Sequence, residues 1–248
     1  MKKLMISIVA LLVAASAGAA LIASDNASDS AYDPADNWTT GDNGGTGFEA
    51  WTLNSAGNNS GHFIGDSTSL STPGADINVS SESFGMYGHT GEWSDATRDF
   101  TGALSVGQIF SIALAVNWRN GAKGIDLQDS SNGTLFNFNV TGDDYKVDGI
   151  SIGNSWSDNA EFLLEFAQTS AGAGTWTITR SGDVSDLDSG TYTGVADGFK
   201  LYNADAAGSN AENNLYVNSM QVVPEPAIVG MLGLGALLTL LIRRMTGS

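Results

Sequence analysis

No cysteine occurs anywhere in the 248 residues. Disulfides, thiolate metal sites and cysteine nucleophiles are therefore excluded. Basic residues are scarce as well, 10 Lys and Arg against 27 Asp and Glu. Four of the bases (Lys2, Lys3, Arg243, Arg244) and one acid (Glu225) lie near the termini, which leaves 6 bases and 26 acids between them, a net charge of about −20. A surface of that sign repels nucleic acid and anionic lipid, so no nucleic-acid partner is expected. It suits solubility in a saline medium, attraction of divalent cations, or contact with a neutral polysaccharide. The only two histidines, His62 and His89, sit in separate glycine-flanked segments and read as surface or turn residues. There is no H-E-x-x-H, no Walker A loop and no complete Rossmann fingerprint.

What the chain does have begins at its ends. Lys2 and Lys3 precede an apolar run over residues 4–15, and residues 16–20 are small. This is the plan of a secretory signal peptide, with Ala17-Gly18-Ala19 fitting the A-x-A pattern. Cleavage after Ala20 or Ala23 fits too, and the segment is taken as residues 1–23. At the other end, Val223-Pro224-Glu225-Pro226 cannot continue a helix or strand, because each proline lacks a backbone donor. Sixteen uncharged, mostly apolar residues follow at 227–242. As a helix they span ~24 Å, short of the ~30 Å hydrocarbon core, which suits a transient transmembrane anchor. Arg243 and Arg244 then hold the tail on the cytoplasmic side.

Pro-Glu-Pro, one apolar span and a basic pair, in that order over residues 223–248, resemble the PEP-CTERM sorting signal of certain Gram-negative bacteria. The resemblance implies recognition by exosortase after signal peptidase has acted, with Val223, Pro224, Glu225 and Pro226 as the motif and Arg243 and Arg244 as the stop. It also implies an inner-membrane intermediate, a final place at the cell surface or outside the cell, and an association with exopolysaccharide and biofilm matrix. The resemblance covers the last tenth of the chain and carries nothing about the fold before it.

Between these signals, residues 24–222 read as one all-β domain. Apolar residues alternate with polar ones in short runs. At 108–118, Phe110, Ile112, Leu114, Val116 and Trp118 share one face; at 134–140, Phe136, Phe138 and Val140 face in while Asn137 and Asn139 face out. Trp176 and Ile178 share a face within 175–180. Further strands are expected at 48–53, 61–64, 83–89, 98–104, 124–128, 145–147, 161–168, 191–195, 199–203 and 215–222. Residues 203–214 read as a loop. Gly-, Asn- and Asp-rich turns between the strands favour an antiparallel β-sandwich or jelly roll.

The chemical inventory of this domain is thin. Glu161 and Glu165 fall on one expected strand, their Cα atoms ~13 Å apart, whereas glycosidase carboxyls sit ~5 to 9.5 Å apart. No catalytic residue is assigned, and the chain is expected not to be an enzyme. Oxygen ligands alone are plentiful, so a structural Ca2+ is the metal to expect, yet neither Asp183–Asp188 nor 44–49 completes a calcium motif, and no metal ligand or other cofactor is assigned. Three tryptophans, Trp38, Trp93 and Trp156, stand in polar, turn-rich surroundings. An exposed indole gives a sugar ring an apolar face to stack on, and Asp or Asn beside it bonds the hydroxyls. The alternative is that each indole plugs a loop onto the edge of the sandwich. The expected function is a non-catalytic surface or matrix protein that binds exopolysaccharide. A structural or adhesive protein without glycan affinity, and a polysaccharide-active enzyme with an unfamiliar site, are the alternatives.

Overall fold

The computed structural model describes residues 21–225, apart from 33–36, 70–74, 143, 153–155 and 207–210. Residues 1–20, Pro226, the apolar span 227–242, Arg243 and Arg244 lie outside the described residues. No helix among the described residues is long and apolar enough to cross a membrane. The compact unit runs from Leu21 to Val223, so it opens three residues before the expected boundary at 24. The reason is backbone pairing: Ile22 N–H donates to Val222 O at 2.8 Å, and Ala23 is buried opposite Val222.

Two antiparallel sheets make up this unit. In the first, the neighbours run β13 (Asp186–Thr193), β12 (Ala173–Gly182), β11 (Ala160–Ser170), β6 (Gln108–Val116), β15 (Leu215–Pro224), β4 (Ser83–Gly88) and β3 (Ser60–Gly65), with β1 (Ala23–Asp25) also on β15. In the second they run β10 (Ile150–Ser151), β9 (Asp144–Val147), β8 (Thr134–Thr141), β7 (Ala122–Gln128), β14 (Gly198–Ala204), β5 (Trp93–Asp99) and β2 (Thr52–Ala56). The sheets stack as a β-sandwich. Period-two alternation gives each strand one apolar edge. Phe110, Ile112 and Leu114 of β6 and Phe162, Leu164 and Phe166 of β11 meet Phe136, Phe138 and Val140 of β8, all buried. Rings from opposite sheets interlock: Phe136 on Phe166, Phe138 on Phe162 and Phe110 on Phe199 each have centroids 5.0 Å apart. Burial of each such side chain contributes about 1.5–3 kcal/mol.

Several elements differ from expectation. The strand expected at 48–53 lies at Thr52–Ala56, and the one expected at 191–195 lies at Asp186–Thr193. β1 begins at Ala23, within the segment taken as signal peptide, and β15 continues to Pro224 because a last strand residue can lack a backbone donor. The strand expected at 98–104 lies earlier, at Trp93–Asp99, because its inward residues are Ser94, Ala96 and Arg98, which carry no hydrophobic signal. Among its described residues, the loop expected at 203–214 opens with the last two residues of β14 and holds a 3-10 turn at Ala211–Asn213.

Arg98 is the organising side chain of the N-terminal segment. Its guanidinium is 1% exposed and sits 4.8 Å from the centroids of both Phe48 and Trp51. Nε donates to Glu49 O at 2.8 Å, Nη2 donates to Asn43 Oδ1 at 2.8 Å and to Gly44 O at 3.0 Å, and Nη1 donates to Asp25 Oδ2. A second switch lies on β15, whose first residues pair with β4 and whose last residues pair with β1. At the changeover Ser219 takes a positive φ of 53°. The buried Asn218 beside it accepts from Ala27 N–H and Ser219 N–H and donates to Ile77 O and Glu82 O, so its amide is fully used.

Lys123 points into the sandwich from β7, fully buried, with Nζ donating to Trp118 O at 2.6 Å. Burial pushes its amine down from 10.5 to about 7. Two predictions come from these buried cations. Arg98→Ala leaves Asp25 buried without its partner, a loss of about 3–5 kcal/mol; thermal melting is expected to fall by roughly 10 °C, and an unchanged melt would contradict the cage. For Lys123, the unfolded chain binds more protons than the folded one between the two pKa values. Stability from this group therefore rises with pH above about 7, by up to ~1.4 kcal/mol per pH unit. Melts between pH 6 and 9 should show this rise in the wild type and lose it in Lys123→Met, while equal slopes in the two proteins would refute it.

Candidate functional site

The outer face of the second sheet is built in straight rows. Asn54, Asp95, Tyr202, Gly124, Asn139 and Lys146 stand directly opposite one another across β2, β5, β14, β7, β8 and β9. Five strand spacings make this row ~24 Å long. On one side runs the row Thr52, Thr97, Lys200, Asp126 and Asn137, and on the other the row Ala56, Trp93, Ala204, Ala122, Thr141 and Asp144. These residues face outward because their strand neighbours, such as Ala96, Leu201, Ile125 and Phe138, occupy the core.

Tyr202 lies across the middle of the face. Its hydroxyl accepts from Asn137 Nδ2 at 2.8 Å and donates to Phe138 O at 3.2 Å, both on β8, two strands from its own. To reach that far the ring must pass over β7, at the position opposite Tyr202, which is Gly124. A glycine is required there by β8, since an added Cβ would stand 1.9 Å from Phe138 O. Burial pushes the Tyr202 hydroxyl well above its ordinary pKa, which keeps it protonated as a donor. Asn137 Nδ2 also donates to Asp126 Oδ1 at 2.7 Å, and Asp126 Oδ2 pairs with Lys200 Nζ at 2.8 Å. Near the edge, Asn54 Nδ2 donates to Asp95 Oδ1 at 3.0 Å.

The three tryptophans expected to stack on sugar fall in three different settings. Trp93 is 42% exposed and belongs to the face; it stands on strand β5, not in a loop, between Ala56 and Ala204. Trp156 is 37% exposed, with the Arg119 guanidinium 4.8 Å over its ring. Trp38 is a correction. It is 2% exposed and packs against Trp51, Phe84 and His62 with centroids 4.8, 4.8 and 5.3 Å away. The polar neighbours that suggested exposure, Asn37, Thr39 and Thr40, do face outward, while the ring between them turns into the core. Trp38 cannot stack on a ligand. Nothing in the local sequence marked Tyr202 and Gly124, since their partnership is set by strand register; alternation along 199–203 does place Tyr202 on the polar side.

Basic charge is distributed unevenly. Of the six Lys and Arg between the terminal segments, Arg98, Lys123 and Arg180 are buried. Lys146 and Lys200 stand on this face, and Arg119 lies over Trp156. Elsewhere on the domain, Glu161 and Glu165 share the outer side of β11, where Glu165 accepts from Thr177 Oγ1 at 3.2 Å. A cleft of about 250 Å³ bounded by Ile22, Phe100, Leu104 and Val222 has no titratable side chain in its lining. Among the described residues no three His, Asp or Glu gather in a way that could hold a metal ion. In the two segments compared with calcium motifs, Asp183 accepts from Ser157 Oγ and Asn159 Nδ2, and Gly44 belongs to the Arg98 cage.

No protein-family model matches the chain, and no curated protein matches it in sequence. Solved structures resemble it distantly. The exoplasmic/lumenal domain of VIP36, in a Ca2+/Man3GlcNAc-bound form, is 9% identical, with 70% of this chain and 83% of that one covered and a TM-score of 0.37. The PL-14 alginate lyase of Aplysia kurodai is 10% identical, with 60% and 85% covered and a TM-score of 0.38. The receptor binding domain of botulinum neurotoxin D is 11% identical, with 72% and 48% covered and a TM-score of 0.36, so the chain spans about half the length of that protein.

The close approach of Gly124 to β8 generates a stability prediction. Gly124→Ala forces β7 from Phe138 O of β8, for an expected loss of about 1–3 kcal/mol, the usual range for overpacking. Denaturant unfolding measures it, and a variant as stable as the wild type would show that the two strands have room to spare.

Proposed function

We propose that this is an exported, non-catalytic surface or matrix protein, carried out by a signal peptide, sorted through its PEP-CTERM-like tail, and binding exopolysaccharide on the outer face of its second sheet. The sorting half rests on the sequence alone: Pro224, Glu225 and Pro226, the apolar span 227–242, then Arg243 and Arg244. The binding half rests chiefly on one observation, the exposed Trp93 beside rows of Asn, Asp and Thr on an open sheet. An indole with only alanines as cross-strand neighbours has an accessible face, and stacking of a pyranose on it removes apolar area from water while amides and carboxylates satisfy the hydroxyls. A structural Ca2+ is compatible with this reading through the protein's many carboxylates.

The test uses protein recovered from the producing cell. Its intact mass should show that the chain has lost residues beyond the Pro-Glu-Pro motif; full-length molecules at the surface would defeat the sorting half. Binding to the cell's own exopolysaccharide should be saturable, and Trp93→Ala should weaken it by about tenfold, in line with the ~1–2 kcal/mol of one aromatic contact. Binding lost on chelation would bring calcium into the site. No binding with or without Ca2+ would leave a structural or adhesive protein, and turnover of the polysaccharide would make it an enzyme.

A further inference from the structure

We infer, resting on the glycan-binding reading above, that the face takes the interior of an extended, neutral polysaccharide chain, with Tyr202, tied across the face to β8, as its central platform. The shape of the face gives the first argument. The row from Asn54 to Lys146 crosses six strands of an open sheet, and it is a stripe, not a pocket closed around one sugar. A stripe gathers affinity from several residues of a chain at once, and no wall selects a chain end.

Preorganisation is the second argument. The half-buried Tyr202 ring is clamped at its far end by Asn137 and Phe138 O, two strands from its own. Stacking on a ring held in this way orders no further rotamer. Trp93, on the neighbouring strand and two residues along from the position opposite Tyr202, offers a second apolar surface on the same side of the sheet. Beside these two rings the row presents an amide at Asn54 and a carboxylate at Asp95. Such groups accept from and donate to vicinal hydroxyls.

Charge selects the class of chain. The domain carries about −20 overall, yet Lys146 and Lys200 both stand here, Lys200 locked to Asp126 at 2.8 Å. Asp95, Asp126 and Asp144 lie close to balance with these lysines, whereas the rest of the surface is heavily acidic. A neutral chain can lie on this patch without burying an unpaired charge. A uronate chain would approach through the repulsive field of the whole protein.

The experiment separates the cell's exopolysaccharide into neutral and uronate-containing fractions and cuts the bound fraction into oligosaccharides of graded length. The full protein should bind the neutral fraction, with little change between 50 and 500 mM salt. Affinity should rise by about tenfold or more from disaccharide to hexasaccharide. Tyr202→Ala should lose about tenfold, Tyr202→Phe less than threefold, and Asn54→Ala, at the exposed edge where folding is not at stake, a few-fold for long oligomers only. Salt-sensitive binding of the uronate fraction alone would overturn the neutral assignment. Length-independent affinity would overturn recognition of the chain interior. Wild-type binding unmoved by both Tyr202→Ala and Asn54→Ala would overturn the face while leaving glycan binding intact. Failure of the wild type to bind any fraction would overturn the glycan-binding reading itself, and this inference with it.

Discussion

A guanidinium taken out of water needs acceptors for all its donors, and the N-terminal half of this protein is arranged to supply them to Arg98. The acceptors come from Asp25, Asn43, Gly44 and Glu49, residues far from Arg98 in the chain that converge on one cation. Phe48 and Trp51 close the cage from their ring faces. Tyr32, whose hydroxyl burial keeps protonated, donates to the same Asp25 oxygen that Arg98 uses. Segments with little regular structure of their own, residues 26–32 and 37–51, are in this way fixed by charge and hydrogen bonds. Replacing the cage by apolar groups of similar volume would not necessarily weaken the protein, since buried ion pairs are weak evidence of net stability. What the cage supplies here is a defined path for the chain.

That path has a consequence at the other end of the molecule. Asp25 belongs to β1, which pairs with the last residues of β15 and, through Ser24, with Thr46. β15 can serve both β4 and β1 because Ser219 adopts a left-handed conformation and Asn218 collects four backbone partners at the changeover. The first and last strands of the domain thus close against each other, and both are tied to Arg98 through a single carboxylate.

Legibility in the sequence followed how local the determining contacts are. Alternation along 108–116 and 134–140 is a property of neighbouring residues, and Phe110, Ile112, Phe136 and Phe138 are buried as that alternation requires. Strand β5 escaped because its inward positions hold Ser94, Ala96 and a caged Arg98, a pattern no hydrophobicity rule would assign to a core. Trp38 misled for the converse reason: its neighbours are polar and exposed, but its ring is held by Trp51, Phe84 and His62, contacts 13 to 46 positions away. Trp93 was visible as a candidate and is exposed, while Tyr202 was not singled out. Its meaning depends on standing opposite a glycine on the next strand, and register between β14 and β7 is fixed by the whole sheet.

The placement of positive charge connects the fold to the face. Only six basic residues lie between the terminal segments, and three of them, Arg98, Lys123 and Arg180, are inside the sandwich. Burying half of so small a supply leaves the exterior almost wholly acidic, which keeps the protein soluble and discourages contact with polyanions. The lysines that remain, Lys146 and Lys200, are held on one sheet face, where Lys200 neutralises Asp126 and Asp126 in turn steadies Asn137 under the Tyr202 hydroxyl. A random scatter of two lysines would leave that carboxylate without its counter-ion. Their position is better explained by the needs of this face than by solubility, because solubility at this net charge does not depend on where two cations sit.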